Sequence, residues 1–340
     1  FTPTPKTLDP CQYPVLVKDE NTEQTLFKKV CQTLQNPPLA ETFPSPQTSK
    51  TNTHQHYLQC FLNDPYLFGK LAVNESFNPL WAIGATPQTV LTSVIFPCGS
   101  PSCVEALLRQ VLAGVCQQLQ QTQTTLMGGH STQGQALALS VVCHHHIEGQ
   151  SSLAEQRLEA GQSLILTQAI GTGTLFTADR QYQAKGRWIQ EALHSLLFPQ
   201  QSAMHILQEY GATACAALQT RGLLGHLLTL RGKTPVQLEL NLSNLPIFDG
   251  ALESVAQGIT HPNHLQNQRY GQFIDHWPER PTSPTASLLF DPQVAGGLLA
   301  ALPSNHAQSC LIRLQTAGYS HSRIIGHVSA QQSTKPVIVL

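Results

Sequence analysis

Between Ser100 and Leu119 the chain reads SPSCVEALLRQVLAGVCQQL, with Val104, Leu107, Leu108, Val111, Leu112 and Val115 recurring at helical spacing. Ser100 or Ser102 can supply the capping hydroxyl. Soon afterwards QALALSVVCHHHIEG alternates apolar with polar, the period of a half-buried strand. A chain that switches period over so short a distance is neither all-helical nor all-sheet. The switching continues. SLILTQAIGTGTL reads as a strand entering a glycine turn, while ALHSLLF and ATACAALQTRGLLGHLLTL read as helical. ASLLFDPQVAGGLLAALP reads as strand, turn, strand; HAQSCLIRLQTAGY is a helix and IIGHV a closing strand. No segment repeats at a period of roughly 20 to 50 residues. The expected class is α/β (α+β) in two lobes.

At 340 residues there is room for two ordinary domains, and a hydrophobic content of 41% supports a real core. Charged residues make up only 11%, against roughly 25% in ordinary soluble domains. Glutamine, serine, threonine and histidine are therefore expected to carry the surface. The net charge of −1 and the lack of a basic run give nucleic-acid binding no electrostatic support. No apolar run approaches the roughly 18 residues a membrane span needs, and FTPTPKTLDP lacks a signal-peptide apolar region. The chain has no initiator, its methionines being Met127 and Met204, so it reads as a processed or excised piece of a longer one. Nine scattered cysteines, with Cys98 and Cys103 the closest pair, read as small buried hydrophobes in the cytoplasm or another reducing compartment. Residues 1–52 are rich in Pro, Thr, Gln and Lys with one helical patch, Glu23 to Leu34, and read as a poorly structured segment. An N-terminal domain at 53–160 and a C-terminal domain at 161–340 are expected to follow.

Several stretches invite a functional reading. KLAVNESFNPLWAIGATP sets Asn74, Glu75 and Asn78 on one short segment before Pro79 and a small-residue turn through Gly84. MGGHSTQG, with Gly128, Gly129, His130 and Ser131, reads either as a strand-connecting turn needing φ > 0 or as amides cradling phosphate. Gly171 to Thr174 and the pair Gly296–Gly297 read as turns, with phosphate contact as the second reading. His54 with His56, and His144 with His146, each share a strand face, so a Zn²⁺ or Ni²⁺ site would form if the two strands were neighbours. Cys143 and His144 are adjacent in sequence, which does not support a thiol–imidazole dyad.

Seven runs, in order, resemble the selenophosphate synthetase family (selenide, water dikinase) of the superfamily that includes aminoimidazole ribonucleotide synthetase, the PurM-like proteins. They are DPYLFGKLAVN, AIGATPQTVLTSVIFP, MGGHSTQGQALALSVV, GQSLILTQAIGTGTL, GLLGHL, IFDGALESVAQG and LLFDPQVAGGLLAALP, and they span most of the chain from about residue 57 to 330. The resemblance implies an N-terminal lobe forming a β-barrel across a dimer, a C-terminal α+β lobe and a nucleotide between them. It implies a reaction in which ATP, selenide and water give selenophosphate, AMP and phosphate, with Mg²⁺ held by carboxylates spreading the charge.

This sequence departs from that pattern at the acids. Asn74 is kept, but the family's metal-binding Asp four residues later is Asn78. The Thr-Asp strand end corresponds to His56, and the Asp of Asp-Val-Thr-Gly-Phe corresponds to Ala217. A further Asp pair falls in the tract at 40–52, which has no aspartate. Gln168 stands where relatives have a lysine. The family's catalytic Cys, Gly and Lys reduce to the degenerate candidates Cys11 and Lys18, too far apart and without the glycine. The resemblance thus leaves Asn74, Asn78, Gly128, Gly129, His130 and Ser131 as nucleotide-side residues, no metal ligands at His56, Asn78 or Ala217, and weak or absent Mg²⁺ binding.

The leading expectation is a catalytically inactive, dimerising or regulatory module that binds ATP or an anion weakly at most. Its partner would be a second copy or a related intact subunit. Relatives of this subgroup occur fused behind a flavin-dependent oxidoreductase, which makes such a domain or a larger complex a further candidate partner. The alternatives are an active selenide, water dikinase with rearranged ligands and a structural subunit of a larger assembly.

Overall fold

The Oδ1 of Asp64 accepts the Leu67 N–H at 3.0 Å, and Pro65 occupies the first helical position, where its missing N–H costs nothing. Helix α1 (Pro65–Ala82) therefore begins on a capping side chain. It runs through KLAVNESFNPLWA, so the short segment bearing Asn74, Glu75 and Asn78 is helical. The computed structural model describes residues 52–147, 153, 156–278 and 283–340. Cys11, Lys18, the Glu23–Leu34 patch and the 40–52 tract up to residue 51 lie outside them. The described residues divide into two compact units, one of 52–73 with Gln88–His144, the other of Asn74–Pro87 with the described residues from His145 to Leu340.

The first unit is built on a four-stranded sheet in the order β1-β4-β2-β3. Its strands are β1 (Asn52–Gln59), β2 (Ala85–Pro97), β3 (Thr125–Gly134) and β4 (Ala138–Ile147). Helix α2 (Pro101–Gln121) forms where the periodicity predicts, with Ser100 Oγ accepting the Cys103 N–H at 3.4 Å. Its Val104, Leu108, Val111, Leu112 and Val115 are buried, as are Val90, Val94 and Phe96 of β2. Leu91 on the alternate face is 37% exposed, and Tyr57 of β1 is 56% exposed. One face of this sheet is covered and the other carries apolar groups to solvent. Backbones of α1 and α2 touch through two glycines: a Cβ on Gly69 would lie 2.2 Å from the Val111 carbonyl oxygen, and one on Gly114 2.0 Å from that of Tyr66.

MGGHSTQG is not a turn. It lies within β3, paired in parallel with β2 so that Leu91 faces Gly128, Ser93 faces His130 and Val94 faces Ser131. The register shifts between Val90 and Leu91, and Val90 pairs with Leu126. Met127 is thus the extra residue of a bulge, and Gly128 takes φ +155° beside it. The glycines here accommodate a bulge in a strand.

The second unit carries a six-stranded sheet in the order β10-β7-β9-β5-β8-β6. These strands are β5 (Gln162–Leu166), β6 (Ala214–Ala217), β7 (Val236–Leu240), β8 (Leu298–Pro303), β9 (Arg323–Ala330) and β10 (Val337–Val339). The helices are α3 (Thr172–Arg180), α4 (Gly186–Leu196), α5 (Gln201–Glu209), α6 (Gly222–Arg231), α7 (Ala251–Ala256), α8 (Pro262–Asn267), α9 (Pro284–Leu288) and α10 (Ser304–Thr316). The mixed α/β class expected from the alternating periods is the one observed. Two local expectations are corrected. ATACAA, alanine-rich and read as helix, is the strand β6, because antiparallel pairing with β8 from Ala214–Ala301 to Ala217–Leu298 overrides propensity. ASLL, read as strand, belongs to α9, where Ser283 Oγ accepts the Ala286 N–H at 3.1 Å and Pro284 opens the helix.

Histidine is not a uniform surface group. His54, His56, His226, His261, His264 and His321 are all held below the ordinary imidazole range, with burial the leading cause. Cys116, Cys143, Cys215 and Cys310 are buried, whereas Cys103 is exposed. Among the described residues no helix is long and apolar enough to cross a membrane. The close crossing of α1 and α2 yields a stability prediction. Gly114→Val should destabilise the fold by at least about 2 kcal/mol, because backbone rather than a flexible side chain must move. Urea unfolding of the variant beside Gln110→Ala, an exposed position on the same helix, measures it.

Candidate functional site

Asn74, Glu75 and Asn78 lie on one face of α1 and are 1%, 2% and 1% exposed. Each meets backbone from a distant part of the second unit. Asn74 Nδ2 donates to the Leu196 carbonyl at 2.9 Å, and Asn78 Nδ2 to the Gly296 carbonyl at 2.8 Å. The Glu75 carboxyl accepts the Ala295 N–H on one oxygen and Gln219 Nε2 at 3.1 Å on the other. Pro79 sets up the next contact. It has no N–H to give the carbonyl four residues back, which is that of Glu75, and Gln219 Nε2 donates to that carbonyl at 3.2 Å. Burial pushes the Glu75 carboxyl up to about 7, opposed by the Ala295 and Gln219 donors. The Asn78 Oδ1 is buried with no hydrogen-bond partner among the described residues.

The second half of the site is FDPQVAGG. Asp291 is fully buried; its carboxylate oxygens accept the Gly173 N–H at 3.1 Å and the Thr174 hydroxyl at 2.8 Å. Gln293 Oε1 accepts the N–H groups of Gly171 at 3.0 Å and Thr172 at 3.3 Å, and its Nε2 donates to Asp291 Oδ2 at 3.1 Å. The amides at the start of α3, where an anion would be bound at a helix N-terminus, already have side-chain acceptors. The phosphate reading of Gly171 to Thr174 is corrected on that ground. Gly296 and Gly297 are required by packing: Cβ atoms there would lie 2.5 Å from the Leu218 carbonyl oxygen and 2.5 Å from the Gln168 Cβ. Gln168 itself donates to Ser195 Oγ at 3.0 Å and accepts from Gln200 Nε2 at 3.4 Å, a neutral buried network.

Two of the sequence-derived metal positions come together. Asn78 binds the Gly296 carbonyl, Leu218 N–H donates to the Gly297 carbonyl at 3.0 Å, and Ala217 pairs with Leu298. Asn78 and Ala217 thus flank one short segment, with Glu75 beside it. His56 lies in β1 of the other unit, half-buried, its imidazole drawn down to about 4 by burial and by His54. Gly128, Gly129, His130 and Ser131 lie in β3 of that unit. The strands bearing the His-x-His pairs are neighbours, yet Thr53 Oγ1 lies 3.0 Å from His144 Nδ1, which puts His144 on the Thr53 face and His54 and His56 on the other. The paired-histidine site is corrected accordingly.

The donor set does not fit Mg²⁺, which calls for several hard carboxylate oxygens. Both Glu75 oxygens accept N–H groups, Asn78 offers one neutral oxygen, and the Ala217 side chain has none. Among the described residues no three His, Cys, Asp or Glu side chains gather so as to hold a metal ion. Sequence reasoning passed over Asp291, Gln219 and Gln293. The run DPQ was visible, but only the tertiary structure places it against α3.

Asp291 makes the site pH-sensitive in a defined direction. Burial raises its carboxyl from 3.8 to about 7, against the Thr174, Gln293 and Gly173 hydrogen bonds. The folded state then keeps a proton that the unfolded chain has lost. Its contribution to stability is full below about 3.8, falls as pH rises, and levels off above about 7. Asp291→Asn should flatten that fall, read as the urea midpoint across the same pH range.

Comparison with known proteins agrees with this architecture. A family profile described as AIR synthase related protein, N-terminal domain, matches residues 45–144. A selenide, water dikinase from Pelobacter propionicus is 26% identical over 278 residues, covering 82% of this chain and 79% of that protein. The crystal structure of the Escherichia coli hydrogenase maturation protein HypE superimposes with a TM-score of 0.68 at 18% identity, covering 93% of this chain and 91% of that one. Thiamine-monophosphate kinase from Stenotrophomonas maltophilia gives a TM-score of 0.64 at 17% identity, with 85% of each chain covered. With seven motifs in order along the chain, the protein is similar to selenide, water dikinases over about four fifths of its length, matches the AIR synthase-related N-terminal domain over residues 45–144, and shares the fold of HypE and thiamine-monophosphate kinase.

Proposed function

We propose that this chain is a selenide, water dikinase-like module that has given up metal-dependent phosphoryl transfer and serves as a dimerising or regulatory subunit. One observation carries the reading. Where relatives are expected to bring aspartates together, Asn78 and Ala217 flank the 296–298 segment, and the adjacent carboxyl, Glu75, is engaged by Ala295 and Gln219. Cleavage of a polyphosphate concentrates negative charge that carboxylate-bound Mg²⁺ must spread, and neutral amides do not assemble such a centre. Residual binding of ATP or another anion is weak in this reading. The two lobes divide near residue 160, and the compartment is a reducing one. A flavin oxidoreductase domain or larger complex remains a candidate partner.

A second reading, an active dikinase with rearranged ligands, is favoured by Glu75, which puts one carboxyl beside both altered positions. One assay separates the two. Incubation with ATP, selenide and Mg²⁺ should yield no AMP above a protein-free control; turnover abolished by EDTA overturns the inactive reading. Asn78→Asp with Ala217→Asp should raise Mg²⁺ affinity at least about tenfold over either single change, since an incomplete ligand set leaves a weak site.

The uncovered face of the first unit's sheet suggests how the module associates. Leu91 and Tyr57 reach solvent there, and β1 and β3 are sheet edges of the kind that invite pairing. The proposed occupant is a second copy or a related intact subunit, closing a barrel with an interface above roughly 2,000 Å² in total. Equilibrium sedimentation at micromolar concentration should give a species of twice the chain mass. Leu91→Arg should shift it to monomer; a monomeric unmodified chain overturns the homodimer.

A further inference from the structure

Helix α3 closes in a way that its sequence makes costly. The Gln183 N–H donates to the Ala178 carbonyl at 2.8 Å and the Tyr182 N–H to that of Asp179 at 2.9 Å. These are the paired bonds of a helix stop whose left-handed position is ordinarily glycine. Tyr182 fills that position at φ +58°, a conformation unfavourable for a bulky side chain. Packing does not offset the strain, because Tyr182 is 94% exposed. The turn itself is held from beneath: Ala184 and Trp188 pack against the core of the second unit, which anchors residues 181–185 between α3 and α4.

Cations flank the tyrosine. Arg180, Lys185 and Arg187 are all exposed, and Asp179 is the one carboxylate between residues 179 and 187. Neither arginine forms an ion pair among the described residues, and Lys185 Nζ lies 4.7 Å from the centre of the Trp188 ring. Lys185 and Arg187 stand at the start of α4, the end of a helix where cations are disfavoured, and its first turn holds no acid to offset them. The basic surface reaches α8: His261 is kept below the ordinary imidazole range first by burial and then by the Arg180 guanidinium beside it. A strained, exposed aromatic and misplaced cations break two local rules within one turn, and such departures concentrate at functional sites.

The sign of the patch sets the partner. A single turn with three cations is too short to follow a nucleic-acid backbone, and a net charge of −1 supplies no wider basic stripe. Guanidinium groups match carboxylates in a planar, two-point geometry. A tyrosine ring offers an apolar face with a polar tip to the chain between them. We propose that the 180–187 turn of the second unit docks an acidic segment of a partner protein, with carboxylates on Arg180 and Arg187 and the intervening chain on the Tyr182 ring. This surface depends neither on phosphoryl transfer nor on the sheet face of the first unit.

Fluorescein-labelled hexaglutamate, followed by anisotropy with the whole chain, tests it. Saturable binding is expected at low salt, weakening as salt rises. Arg180→Ala and Arg187→Ala should each weaken it about threefold, the scale of an exposed ion pair, while Arg313→Ala, an exposed position on α10, should leave it unchanged. Tyr182→Gly is the decisive variant. It relieves the left-handed strain, so its urea midpoint should rise while binding falls at least about threefold. Absence of saturable binding overturns the proposal, as does binding that Tyr182→Gly leaves intact or that Arg313→Ala weakens equally. A urea midpoint that falls in Tyr182→Gly overturns it too, since the tyrosine would then serve stability. Tighter binding of oligothymidylate would assign the patch to nucleic acid, and self-association lost in Arg187→Ala would assign it to a second copy; either result overturns the acidic-partner surface.

Discussion

Pro79 has no N–H to give the Glu75 carbonyl, and much of the second unit's hydrogen bonding is linked to how Gln219 donates to that group. A buried, unpaired carbonyl carries a penalty of about 1–3 kcal/mol. Gln219 removes it by donating to that carbonyl and, with its second amide proton, to the carboxyl of the same residue. This bidentate contact fixes the residues just after β6. Through the Gln293 N–H, which donates to the Gln219 carbonyl at 3.0 Å, it also fixes the DPQ turn. Gln293 and Asp291 then cap α3. One chain of hydrogen bonds therefore runs from a proline-broken helix to the start of another helix far along the sequence.

The site runs largely on neutral amides. Asn74, Asn78, Gln168, Gln200, Gln219 and Gln293 are the side chains that join its elements. An amide carries donors and an acceptor together, so it can bridge two backbones without the desolvation penalty of an ion. The same property makes it a poor substitute where charge must be neutralised. A site joined in this way concentrates little negative charge. The low charged content of the sequence, 11%, has its counterpart inside the fold. The two carboxyls that remain buried here, Glu75 and Asp291, are both pushed up to about 7 by burial.

Local errors in the sequence reading have a common cause. MGGHSTQG contains the residues of a turn, yet it is a bulged strand because β2 lies alongside it. ATACAA contains the residues of a helix, yet it is a strand because β8 pairs with it. The His-x-His pairs alternate as strands should, but on which side of the sheet each pair falls depends on the register between β1 and β4, which no local pattern encodes. Helix α2 succeeded because its information is local: six apolar residues at helical spacing and a capping serine.

By itself the sequence determined the mixed class and carried the resemblance to selenide, water dikinases through seven ordered runs, with His56, Asn78 and Ala217 at the positions where that resemblance implies acids. These are properties of residue identity and order. Only the tertiary structure decided that Glu75 is the engaged carboxyl of the site. Its partner Ala295 lies 220 positions away, and neither burial nor the meeting of two donors on one carboxyl has a signature in a linear pattern. The physical reason is range. Periodicity and capping act over a few residues, whereas the burial and donors that set a carboxyl's ionisation come from segments that folding alone brings together.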